Sequence, residues 1–109
     1  MKTFPAIMLV GLLCLGVSCR RSDFRTVAVY VPAVSERECL EPIMRALYPY
    51  GISPENVAVS LESRMLEIQY DSLHMSTKNI EHLIAGAGFE ANGVPADPAA
   101  QAALPEPCR

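Results

Sequence analysis

Two runs of apolar residues at helical spacing, set on either side of a pair of alternating segments, constrain this chain more than any other feature. The first run is Leu40, Ile43, Met44 and Leu47, and the second is Ile80, Leu83, Ile84 and Ala87. Residues three and four apart share one face of a helix, so each run reads as a helix with one buried stripe. Between them, residues 57–61 and 64–70 read as two strands joined by Glu62-Ser63. In the second strand Leu66, Ile68 and Tyr70 alternate with Glu67 and Gln69, the period of two that turns one face to a core and the other to water. Ahead of the first helix, residues 26–31 are rich in β-branched side chains, with Val27, Val29 and Val31 on one face and Pro32 ending the strand.

Beyond the second helix, Gly86 and Gly88 suit its C-terminal end, and residues 89–92 can form a short last strand. The expected class is α+β: a ferredoxin-like βαββαβ unit, an antiparallel four-stranded sheet with two helices on one face. Ser35 and Glu38 match a capping box that would start the first helix near Glu36. Pro42 argues for a start nearer Cys39, which places its missing N–H in the first turn. Ser76 or Thr77 caps the second helix. Residues 93–109 are rich in proline and alanine and read as an extended tail, with room for a turn or two of helix over 96–103 and Cys108 next to its end.

The first eighteen residues read as an export signal, not as part of the fold. Lys2 gives a thin positive start, and the apolar run over 4–17 falls short of the roughly twenty residues that a membrane span needs. The run closes on Leu15-Gly16-Val17-Ser18-Cys19, which resembles a bacterial lipobox and makes Cys19 the expected lipidation site. Residues 19–25 then form a linker, 26–92 the folded domain and 93–109 the tail. The chain is expected at the cell envelope, periplasmic or held to the membrane by its lipid. Without the leader it carries 8 basic and 12 acidic side chains, which argues against nucleic acid as a partner. A domain of roughly seventy residues buries about 60% of its unfolded surface and has no room for a large substrate cavity. No acid–base cluster is visible in it, and an enzyme is not expected.

Strand, then Ala33-Val34-Ser35-Glu36-Arg37-Glu38-Cys39, then helix resembles the heavy-metal-associated domain family, which carries Gly-Met-Thr-Cys-x-x-Cys at this loop. Gly51-Ile52, Tyr70-Asp71 and the Gly88-Phe89-Glu90-Ala91 ending of the second helix add to the resemblance, which spans residues 26–92. It departs at the chemistry: the family's first cysteine is Glu36, and only Cys39 remains of the pair. The resemblance implies binding of a thiophilic transition-metal ion, Cu(I), Zn(II) or Hg(II), at the envelope for trafficking or detoxification. It also implies an envelope metal transporter or another metallochaperone as partner. Paired thiolates suit soft ions, and a carboxylate such as Glu36 is better matched to Zn(II). Val34 and Ser35 would support the metal loop, and Phe89 would shield it.

The tail offers a second thiol. Cys108 lies sixteen residues beyond Asn92, and an extended chain of that length reaches roughly 50 Å, enough to bring it to Cys39. Cys39, Cys108 and Glu36 are therefore the candidate metal ligands. The same two cysteines make a disulfide by simple pairing in an oxidising compartment, or stay idle. With the disulfide, the domain would be a metal-free protein-interaction module of the same fold. His82 reads as a surface or boundary residue on the second helix, and His74 beside Met75 could offer soft donors to copper, but neither histidine is expected as a primary ligand.

Overall fold

The computed structural model describes residues 21–109; the expected export signal and the lipidation site Cys19 lie outside the described residues. Three strands form one antiparallel sheet: β1 (Phe24–Tyr30), β2 (Val57–Ser60) and β3 (Met65–Asp71). Their order is β1-β3-β2, with Leu66 of β3 opposite Val29 on one side and Val59 on the other. Two helices, α1 (Leu40–Leu47) and α2 (Thr77–Gly86), contribute Ile43, Leu47, Ile80 and Ile84 to a core shared with Val29, Leu66, Ile68 and Phe89. The alternate residues Thr26, Ala28, Glu67 and Gln69 are exposed on the opposite face. This is the ferredoxin-like frame with one face covered by helices and one left to water.

The frame lacks one expected piece: among the described residues the sheet has three strands, not four. Residues 89–92 approach β1 but form only the single bridge Ala91↔Val94. Asn92 and Gly93 both take left-handed backbone conformations, φ 47° and 83°, so the chain doubles back before a strand can run. Asn-Gly is the favoured pair for that tight turn. Asn92 nevertheless serves as one rung of the missing strand. Its N–H donates to the Tyr30 carbonyl at 2.9 Å, and its side-chain Oδ1 accepts the Tyr30 N–H at 2.7 Å.

The helix starts show which caps won. Ser76 accepts from the Asn79 N–H at 3.2 Å, and Asn79 Oδ1 returns the bond to the Ser76 N–H at 2.9 Å, which closes a reciprocal capping box on α2. The Ser35–Glu38 box expected on α1 does not form. A turn of 3₁₀ helix over Arg37–Cys39 leads in, Cys39 is the N-cap of α1, and Pro42 sits in its first turn as its missing donor requires. The tail is folded back on the domain. It carries a short helix α3 (Pro98–Ala102) capped by Asp97, a buried Leu104 and a 3₁₀ turn over Glu106–Cys108.

Candidate metal centre

The loop after β1 is anchored before any sulfur is considered. The Val31 N–H donates to the Arg64 carbonyl at 2.9 Å, and the Arg64 guanidinium donates to the Pro32 carbonyl. Val34 is fully buried, and its N–H closes a turn onto the Val31 carbonyl at 3.1 Å. These contacts hold Ser35, Glu36, Arg37 and Glu38 at the surface and bring Cys39 inward at the head of α1.

Cys39 is bonded to Cys108 across 69 residues of sequence, with Cα atoms 5.5 Å apart. Both cysteines are fully buried. The tail ahead of the bond is also held: the Ser35 hydroxyl donates to the Pro107 carbonyl at 3.1 Å, and Leu104 packs into the core. Ser35 does not cap α1: the 3₁₀ turn starts after Glu36 and α1 after Cys39. Arg109 Nε donates to the Leu104 carbonyl at 2.9 Å and steadies the last turn.

The other expected site residues fall in two groups. Phe89 and Val34 are fully buried and belong to the same core as Cys39 and Cys108. Glu36 is exposed, and its carboxyl lies against that of Glu38. A hydrogen bond to Glu36 and repulsion from its charge hold Glu38 above the usual glutamate range. Among the described residues, no group of three or more His, Cys, Asp or Glu side chains is placed to hold a metal ion. His74 is exposed, with Nε2 3.5 Å from Asp71 Oδ2, and His82 is exposed beside Tyr50 and Leu83 in a groove between the helices.

Chemically, the centre is a two-electron redox pair at a helix N-terminus. As a disulfide it presents no thiolate, which is the form that ligates metals. Reduction would yield two thiols, one on α1 and one on the tail. Leu104 and the Ser35–Pro107 contact were not foreseen from the sequence. The signal for the first was present, since Leu104 is the one large apolar side chain between Val94 and the C-terminus.

No protein-family model matches the chain, and no curated protein matches it in sequence. Among solved structures, the crystal structure of oxidised MerP from Ralstonia metallidurans CH34 is similar, with a TM-score of 0.54 at 24% identity. The match covers 63% of this chain and 94% of that one. The chain shares the fold of MerP. At that identity the likeness speaks for the small α+β architecture alone. No helix among the described residues is long and apolar enough to cross a membrane.

Proposed function

We propose that this chain binds a thiophilic transition-metal ion at the cell envelope through Cys39 and Cys108 in their reduced form, with the disulfide as the oxidised, metal-excluding state. The observation that carries this reading is the meeting of the two cysteines at the head of α1. The loop has lost the first thiol of the family pattern to Glu36, and the tail brings a replacement to Cys39 from 69 residues away. Reduction by a thiol or dithiol breaks the S–S bond and adds two electrons and two protons. Binding of a soft cation to the two sulfurs then releases those protons. Two thiolates favour Cu(I) or Hg(II); a third, oxygen donor from Glu36 after a local shift would favour Zn(II). Residues 1–18 direct export, a lipid on Cys19 holds the chain at the membrane, and a metal transporter or metallochaperone of the envelope receives the ion.

A second reading is favoured by the burial of the bond. Both sulfurs are fully buried, as a purely structural staple would be, and the domain would then be a metal-free interaction module. One titration separates the two. A free-thiol count on residues 20–109 purified without reductant should give no reactive thiol, and two after reduction. The reduced chain should then bind one Cu(I) or Hg(II) with release of protons. Cys39→Ser should abolish that binding, and Cys108→Ser should weaken it by at least about 100-fold, or some 2.7 kcal/mol. Glu36→Cys should restore tight Cu(I) binding in the Cys108→Ser background. Equal metal affinity in wild type and both serine variants would leave only the interaction module.

A further inference from the structure

The outer edge of β1 is where the fourth strand would lie. Tyr30 turns its N–H and C=O toward Asn92, away from β3, and Val31 turns its N–H the other way to Arg64. Strand geometry alternates, so Phe24, Thr26 and Ala28 also present their backbone groups outward. Among the described residues only Asn92 meets this edge: its Nδ2 donates to the Ala28 carbonyl at 3.3 Å. The Thr26 N–H and C=O and the Ala28 N–H are left to an incoming strand. Exposed Phe24 and Tyr30 stand at the two ends of β1.

Beside this edge lies a buried carboxylate that is only half served. Glu81 of α2 is 6% exposed, and its Oε2 accepts from Asn92 Nδ2 at 2.8 Å, the same amide that reaches Ala28. Its Oε1 is buried without a hydrogen-bond partner among the described residues, with only the exposed Lys78 ammonium 3.5 Å away. A buried oxygen of this kind costs free energy until a donor reaches it. The opposite edge, on β2, is four residues long and shows no such group.

We propose that β1 pairs edge to edge with β1 of a second copy of this chain, the strands antiparallel about Thr26, with Arg25 of each copy set at Glu81 of the other. In that register Thr26 exchanges both backbone bonds with its counterpart, and the Ala28 N–H meets the Phe24 carbonyl of the second copy. Asn92 marks the inner limit of the pairing. Arg25 shares the face of Val27 and Val29, which is the face that carries α2, and sits opposite Val27 of the second copy. It now holds Asp23 through an exposed pair at 2.9 Å, so its guanidinium is available to exchange partners. The interface is isologous, each copy offering the same edge, one cation and one buried anion. Its small area makes it a weak, reversible dimer. The inference does not rest on the metal reading.

Sedimentation velocity on oxidised residues 21–109, which carry every contact described, is expected to show a concentration-dependent dimer between about 10 μM and 1 mM. Thr26→Pro removes one outward N–H and leaves the β1–β3 ladder bonds in place, and should weaken association about tenfold or more. Glu81→Gln keeps the acceptor for Asn92 and should loosen the dimer. Arg25→Glu, which sets two carboxylates together, should loosen it further. Amide exchange at Thr26 and Ala28 should slow as concentration rises. A monomer throughout this range overturns the proposal, as does a dimer in which both charge variants associate as wild type and those two amides stay unprotected. If Thr26→Pro does not fold, the charge variants and the exchange data decide the matter alone.

Discussion

Cys108→Ala is expected to cost the domain about 4 kcal/mol of stability, the value that chain entropy assigns to opening a closed loop of this length. The bond joins residues 69 apart, so it removes a wide range of conformations from the unfolded chain. A domain of this size has on the order of 5–13 kcal/mol to lose, and the midpoint of thermal unfolding should fall by about 20 °C. Urea denaturation of three samples measures the effect: oxidised wild type, reduced wild type and the alanine variant. The last two should nearly coincide, and both should unfold with a steeper denaturant dependence, because an uncrosslinked chain exposes more surface. A gap of less than about 1 kcal/mol between oxidised and reduced protein would mean that the tail is held by Leu104 and the Ser35–Pro107 bond with little help from sulfur. A large gap has a functional consequence. Reduction would then release the tail and ready the thiols in one step, and an ion that bridges Cys39 and Cys108 would restore part of the lost closure.

The frame was legible because its signals are local. Leu66, Ile68 and Tyr70 alternate with charged and amide residues, and the structure buries those three and exposes the others. Ile80 and Ile84 repeat at helical spacing and are fully buried. The fourth strand was misjudged because its fate is set by Asn92-Gly93, a pair that favours a tight turn more strongly than residues 89–92 favour extension. The Ser35–Glu38 box failed because the helix starts later than it assumes: a 3₁₀ turn begins after Glu36, and Cys39 is the N-cap of α1. Pairing of Cys39 with Cys108 was within reach of chain length, but length states only what can meet. The choice between bond, ion and idle thiol depends on the redox conditions of the compartment, which no spacing encodes. Leu104 is the element that sequence could have used, since a lone leucine in a proline- and alanine-rich tail is an anchor waiting for a core.

Gly88→Ala is expected to destabilise the oxidised domain by about 3 kcal/mol, for two reasons that act at one atom. Gly88 ends α2 in a Schellman motif, with its N–H on the Ala85 carbonyl at 3.0 Å and the Phe89 N–H on the Ile84 carbonyl at 3.3 Å. That motif places it at φ 106°, where an L side chain is strained. A Cβ there would also stand 2.8 Å from the Ala100 carbonyl carbon and the Gln101 nitrogen, both backbone atoms of α3. Backbone cannot swing aside as a side chain can, so α3 must lift. Lifting is resisted at one end by the Asp97 N–H on the Ala85 carbonyl, at 2.9 Å, and at the other by the disulfide. The two constraints make the effect conditional. In the Cys108→Ala background the tail is free to move, the steric part of the cost should disappear, and the double variant should be more stable than the sum of the single losses predicts by about 1–2 kcal/mol. Gly86 supplies the control, because nothing lies within 4 Å of its added Cβ and its backbone is helical. Gly86→Ala should stabilise by about 0.5–1 kcal/mol in either background. Strict additivity of Gly88→Ala with Cys108→Ala would show that the tail does not press on the end of α2, and with it would go the mechanical link between the sulfur pair and the helix that carries Glu81.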